Sequence, residues 1–292
     1  MSTPEELLSR AEKKGQPTTG FLKWFSGDQS YKYEEASDLC IQAANIYKLQ
    51  KNLKLAGDSF VKAAVFQLKA GNEDDAGNIY IDSYKSYKSS GDSLLAIESL
   101  KEAVDLFTKR GQFRRSANFK FELGEMYETD LNDYPNAIGE YELAGEWYEQ
   151  DQAVALANKS WLKCADLMAL SGDYIKASDK YSKLISNSIG NKMSQWSLKD
   201  YYLKKAICQL AATDSVAAAR TLNEAMNEDP NFNGSRECQL LGDIIEAYNE
   251  RDSEKLSSVA FEYDKFSKLD KWKTTMLLKV KENISEDEDD LL

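Results

Sequence analysis

An all-α fold, a solenoid of helical hairpins, is predicted by three features of this 292-residue chain. A glycine followed by a polar residue recurs every 20 residues, at Gly71-Asn72, Gly91-Asp92 and Gly111-Gln112. A small residue stands five places after each of these glycines: Ala76, Ala96 and Ser116. Extended outward to registers near 32, 52, 132, 152, 172, 192, 213, 233 and 252, the same place holds Ser37, Gly57, Ala137, Ala157, Ala177, Ser197, Ala218, Cys238 and Ser257. Between these marks, long apolar and aromatic residues fall at helical spacing, as in Ile79, Tyr80, Tyr84 and Tyr87, then Ile97, Leu100, Val104 and Phe107.

A helix of about 14 to 16 residues plus a short turn fills one interval, and glycine suits the left-handed position just past a helix end. The small residue lets the neighbouring helix approach closely. Two intervals then make one hairpin of about 40 residues, the TPR-like unit, and stacked hairpins bury a continuous core. The expected product is a curved, twisted sheet of helices closed by a C-terminal helical bundle, about 14 helices in all. Its expected divisions are a helical sheet over 1–215 with an apolar loop at 15–30, a bundle over 216–284 and an acidic tail at 285–292.

Taken in order, Thr3-Pro4-Glu5-Glu6 reads as a capping box, so a first helix is expected over Pro4 to Lys14. Gly15, Pro17, Gly20 and Gly27 make the next segment a loop, and it contains Phe21, Leu22, Trp24 and Phe25 around Lys23. These four side chains either pack onto the first hairpin or insert into a bilayer surface, where each contributes on the order of 1.5 to 3 kcal/mol before ordering costs. The repeat is then regular to Phe107. From Lys109 to Phe121 the chain carries Lys109, Arg110, Arg114, Arg115 and Lys120 with no acid, which is either a solvated face or a docking patch for an acidic partner.

Its electrostatic opposite follows, since Glu122 to Asn158 holds ten acids and no Lys or Arg. Lys159 and Lys163 return one helical turn apart, flanking Trp161. With Arg114 and Arg115 they are expected to line one face of the sheet, the alternative being an ordinary wet surface. From Glu224 to Glu262 ten acids face three bases. A last amphipathic helix is expected over Asp270 to Ile284, with Trp272, Met276, Val280 and Ile284 at spacings of four. The acidic close ends in Leu291-Leu292 and is expected either as a disordered solubilising tail or as a charged tether with an apolar plug.

Composition narrows the function classes. The formal charge of -12 argues against general nucleic-acid binding, which needs surplus Lys and Arg to displace counterions. Cys40, Cys164, Cys208 and Cys238 form no Cys-X-X-Cys pair and there is no histidine, so buried free thiols are expected and no metal or cofactor. The same lack of histidine removes Ser-His and Cys-His pairs, the two-histidine zinc motif and the kinase catalytic loop, and no Walker-type loop occurs. An enzyme is not expected. Without a signal peptide or an apolar run near 18 residues, the expectation is a cytoplasmic protein that touches membranes only peripherally.

Several segments carry a family resemblance. Leu7-Leu8 through Lys14, Gly20-Phe21, Tyr141-Glu142-Leu143-Ala144-Gly145, Asn158-Lys159, Lys199-Asp200-Tyr201-Tyr202, Asp229-Pro230-Asn231-Phe232, Ser235-Arg236-Glu237, Leu269-Asp270-Lys271-Trp272 and Asp289-Asp290-Leu291-Leu292 together resemble the soluble NSF attachment protein (SNAP) family, alpha branch, fungal type. The likeness spans essentially the whole chain, and its termini are more diagnostic than its repeats.

That resemblance implies an adaptor in vesicle trafficking and membrane fusion. It would bind the assembled four-helix SNARE bundle, recruit the hexameric ATPase NSF for SNARE disassembly, and touch the membrane surface through its N-terminal loop. By position, Phe21 and Leu22 match the family's membrane-contacting loop, with Trp24 and Phe25 beside them. Lys159 and Lys163 match its SNARE-facing bases. Arg114 and Arg115 lie beside another such site, where this chain has Asn118 in place of the lysine some members carry. Asp214, Glu246 and Glu250 resemble the acidic face offered to NSF, with Asn249 departing from an acid, and Leu291 and Leu292 match the terminus associated with stimulating ATP hydrolysis. A competing reading from the residues alone is a general helical-repeat scaffold that binds short peptides.

Overall fold

The computed structural model describes residues 2–16, 29–190 and 195–289, and among them it contains fourteen α-helices and no strand. The apolar loop residues Phe21, Leu22, Trp24 and Phe25, and the terminal Leu291 and Leu292, lie outside the described residues. Two compact units divide the chain, Met1–Asp133 and Tyr134–Leu292.

The first unit holds α1 (Pro4–Lys14), α2 (Ser30–Leu49), α3 (Leu53–Ala70), α4 (Glu73–Ser90), α5 (Ser93–Lys109) and α6 (Phe113–Thr129). The capping box forms as the sequence predicts: the Glu6 amide donates to Thr3 Oγ1 and the Thr3 amide to Glu6 Oε2, each at 3.2 Å. The turns carry the repeat. Gly71, Gly91 and Gly111 stand at φ of +85°, +83° and +75°, and at other turns Lys51, Asn132, Gln152, Thr213 and Arg251 hold the same left-handed conformation without being glycine. Among the described registers, register 32 is an exception, because Lys32 lies inside α2 rather than in a turn, and register 192 lies outside the described residues.

The small residues let helices meet backbone to side chain. Ser37 Oγ donates to the Ala63 carbonyl at 3.0 Å, Ser83 Oγ to the Gly57 carbonyl at 3.1 Å, and, in the second unit, Cys164 Sγ to the Ile138 carbonyl at 3.7 Å. Each pair is 26 residues apart, so one contact recurs along the array. Helical glycines do the same for aromatic rings: a Cβ on Gly57 would lie 2.6 Å from the Tyr87 ring, and one on Gly77 2.7 Å from the Phe107 ring. Ile79, Tyr80, Tyr84, Tyr87, Ile97, Leu100, Val104 and Phe107 are all buried, as their spacing requires.

The second unit holds α7 (Tyr134–Gln150), α8 (Val154–Leu170), α9 (Tyr174–Ser188), a 3-10 turn at Gln195–Ser197, α10 (Leu198–Ala211), α11 (Ser215–Glu228), α12 (Arg236–Glu250), α13 (Ser253–Phe266) and α14 (Lys271–Asp289). Helix α10 is the hub of a terminal bundle, packing against α9, α11, α12 and α14. Trp272, Met276, Val280 and Ile284 are buried along one stripe of α14, as expected. That helix continues past Ile284 to Asp289. Ser37, Ala76, Ala96, Ser116, Ala137, Ala157, Ala177 and Ala218 of the small-residue series are fully buried, whereas Ser197, Cys238 and Ser257 are half-buried, so the register loosens towards the end of the chain.

Candidate interaction surfaces

The basic run of the first unit begins at the turn into α6. Arg110 forms an ion pair with Asp74, its Nε donating at 3.0 Å, and is thereby tied to the preceding hairpin. Arg115 lays its guanidinium on the Phe107 ring, 3.7 Å from the centroid, while Nη2 donates to Asn78 Oδ1 at 2.8 Å. Partial burial lowers its pKa somewhat, and Asp74 works in the opposite sense. A guanidinium held by stacking and a hydrogen bond presents its charge at a fixed place, with little rotamer freedom left to lose on binding. Arg114, beside it in sequence, is exposed, as is Asn118 one turn further on.

In the second unit Lys159 of α8 is exposed and Lys163, one turn on, is half-buried with Nζ 5.9 Å from the Tyr141 ring centroid. Trp161 between them is 2 % exposed and faces the interior. Its indole Nε1 donates to Glu149 Oε1 at 2.8 Å, and the Lys180 and Lys183 ammoniums stand 4.4 and 3.9 Å from its ring. Those lysines also pair with Glu142 at 2.7 Å and Glu149 at 2.9 Å. The acidic helix α7 is thus partly neutralised from α9, across the Trp161 ring. Gly145 makes room for that ring, because a Cβ there would lie 2.8 Å from it.

The acidic residues of the last helices divide by role. Asp214 caps α11, its Oδ1 accepting from the Ala217 amide at 2.8 Å. Glu246 and Glu250 lie one turn apart on α12 and both hold Lys255 of α13, at 3.0 and 2.6 Å. Hydrogen bonds to Glu250 and Glu246 raise the Lys255 pKa, so the ammonium form is favoured between them. More than half of each carboxylate side chain remains exposed, at 59 % and 52 %. Asp252 caps α13 just beyond, through the Lys255 amide at 2.8 Å.

The expected basic set therefore forms two local pairs, Arg114 with Arg115 in one unit and Lys159 with Lys163 in the other. Sequence reasoning missed the Lys180 and Lys183 contacts with Trp161. Their signal was present, since Lys180 and Lys183 follow Glu142 and Glu149 by 38 and 34 residues, about two repeat intervals. Among the described residues no group of three or more His, Cys, Asp or Glu side chains could hold a metal ion, and no helix is long and apolar enough to cross a membrane. The four cysteines are free, with Cys40, Cys164 and Cys208 buried and Cys238 half-buried.

Known proteins resemble this chain along its whole length. A Saccharomyces cerevisiae protein named alpha-soluble NSF attachment protein is 65 % identical over 292 residues, covering 100 % of both chains. A probable vesicular-fusion protein sec17 homolog of Schizosaccharomyces pombe is 45 % identical, covering 100 % of this chain and 99 % of that one. The human alpha-soluble NSF attachment protein is 35 % identical over 98 % of this chain and 96 % of its own. The family described as soluble NSF attachment protein, SNAP, matches residues 2–285. With its hairpin repeats, paired bases on α6 and α8 and acidic α12–α13 corner, the chain belongs to the soluble NSF attachment protein family.

Proposed function

We propose that this chain is an adaptor that binds assembled SNARE bundles and recruits and stimulates NSF, so that the bundle is taken apart after membrane fusion. The observation that carries the reading is the family match over residues 2–285, joined by 65 % identity along the full length of a yeast protein named for attaching NSF. The chain is an adaptor rather than an enzyme, and its contribution is to hold two partners in register.

In this reading Lys159 and Lys163, with Arg114 and Arg115, face the acidic SNARE rod. The exposed Glu246 and Glu250 carboxylates, with Asp214 at the start of α11, face a basic surface of NSF, and Leu291 and Leu292 contact the ATPase. Phe21, Leu22, Trp24 and Phe25 dip into the membrane surface, making the protein cytoplasmic and peripherally membrane-associated. Electrostatic faces of opposite sign give orientation and association rate more than raw affinity, which suits a part that must engage and release in each cycle.

The test is a pull-down on assembled SNARE bundles with this chain, NSF, or both. NSF retained on the bundle only when this chain is present supports the reading. Equal retention without it contradicts the adaptor role. Capture of short unrelated peptides in place of the bundle would favour a general repeat scaffold.

A further inference from the structure

The last helix is fastened to the second unit in an uneven way. It packs chiefly on α10, with α13 and α8 beside it, and α13 buries only Leu256 fully. Towards α8 it reaches back through Trp272, whose Nε1 donates to the Asp166 carbonyl at 3.0 Å, across 106 residues of chain. The Trp272 ring meets Tyr181 edge-on at 6.0 Å, and the Lys204 ammonium lies 4.8 Å from its centroid. Lys204, 5 % exposed, donates to both Asp166 carboxylate oxygens at 2.8 and 3.0 Å, and the Tyr181 hydroxyl donates to the same carboxylate. Lys273 extends the cluster to Asp200 at 2.5 Å and Asp270 at 3.1 Å. At the other end of α14, Asn283 Nδ2 donates to the Ala211 carbonyl at 3.0 Å.

A buried ion pair surrounded by aromatic rings is a weak source of net stability, because desolvation offsets the attraction. What it can supply is a single allowed seat, since any shifted register of α14 takes the indole N–H off its main-chain acceptor at Asp166 and the ring off the Lys204 ammonium, while the Lys204–Asp166 pair stays fixed on the helices beneath. We propose that Trp272, with Asp166, Lys204 and Tyr181, is a bolt that fixes the direction of α14, and that these are positioning residues for stimulation of NSF by the chain terminus that α14 carries. The inference rests on the adaptor reading. It assigns to this cluster the coupling of the terminus to the rest of the chain, leaving SNARE binding to other surfaces.

The experiment uses the full chain with Trp272→Phe, which keeps a ring on Tyr181 and removes the donor, and with the triple replacement Asp166→Leu, Lys204→Met and Tyr181→Phe, which makes the bolt apolar. Three quantities are read: amide exchange along α14, binding to assembled SNARE bundles, and NSF ATPase rate against adaptor concentration. The expected result for Trp272→Phe is exchange in the first turns of α14 faster by about fivefold, the size set by one lost hydrogen bond. Maximal stimulation should fall at least threefold while bundle affinity and the half-maximal adaptor concentration hold. The apolar triple keeps the main-chain acceptor of the indole and removes the ammonium against its ring, so it should melt no earlier than the natural chain yet lose part of the maximal stimulation, an outcome a merely structural role would not give. Full stimulation by either variant, or unchanged α14 exchange in Trp272→Phe, overturns the bolt. Absence of stimulation by the natural chain would overturn the adaptor reading instead.

Discussion

Gly57→Ala isolates the close approach on which the hairpin array depends. The added Cβ would meet three Tyr87 ring atoms at 2.6, 2.7 and 2.8 Å, well inside contact distance. That ring cannot simply swing aside, because it is buried and its hydroxyl donates to Asp58 Oδ1 at 2.6 Å. Overpacking of this kind costs ~1–3 kcal/mol, and breaking the hydrogen bond to let the ring move adds ~1 kcal/mol. Against this stands the gain from replacing glycine by alanine inside a helix, ~1 kcal/mol. The net expectation is a loss of ~1–3 kcal/mol, read as a lower urea midpoint with an unchanged slope. Gly139→Ala supplies the control: it is exposed in α7, a Cβ there meets nothing within 4 Å, and only the propensity gain applies. If Gly57→Ala matches or exceeds the natural chain in stability, close helix approach is not what the small-residue series encodes.

Other expectations follow from the same contacts. Gly71→Ala, at φ +85° with open space around the Cβ, should lose ~1 kcal/mol from backbone strain alone, whereas Lys51→Gly, at φ +61°, should be neutral or stabilising in the same urea titration. Alanine at Lys180 or Lys183 should each cost ~0.5–1 kcal/mol and alter Trp161 fluorescence, and a double-mutant cycle with Glu149→Gln should show coupling; additive losses would contradict the shared cluster. Burial pushes the Cys40 thiol from its ordinary 9 up to about 11 and the Cys164 thiol up to about 12. Since the folded values are raised, this stability is fully present below pH 9 and is lost as pH climbs through 11 to 12. A thiol reagent at pH 8 should accordingly label the half-buried Cys238 first, and equal rates at all four cysteines would count against the buried sites. Lys159→Glu should weaken binding to SNARE bundles by about tenfold at low salt and by much less at high salt, measured by titration; an affinity unaffected at low salt removes Lys159 from that surface.

Local chemistry made much of the fold legible. The left-handed turn residue repeats because each helix must stop after the same length, and glycine marks the stop only where selection has not left Lys51, Gln152 or Arg251 in the same strained conformation. The capping box and the four-spaced stripe of α14 are likewise short-range signals, complete within one or a few turns. The failed register at Lys32 shows the boundary of that logic. Helix α2 begins at Ser30, whose hydroxyl donates to the Ala70 carbonyl at 2.9 Å, so a partner 40 residues away sits at the helix start.

Charge was harder to read. The stretch from Glu122 to Asn158 looks uncompensated in sequence, yet Lys88 reaches Glu122 at 2.8 Å from two helices earlier and Lys180 and Lys183 reach Glu142 and Glu149 from two helices later. Arg115 reads as a free base until Phe107 is seen beneath it. The Trp272 bond to Asp166 was beyond any periodicity, because periodicity reports which face of a helix is buried and not which distant carbonyl it meets.

The most direct measurement of the central claim follows a SNARE bundle labelled with a donor and an acceptor fluorophore, in the presence of NSF and ATP, as this chain is titrated in. Loss of energy transfer that requires both NSF and this chain, and that disappears when Lys159 and Lys163 are both reversed to glutamate, is the predicted result. Disassembly at the same rate without the chain would contradict the account.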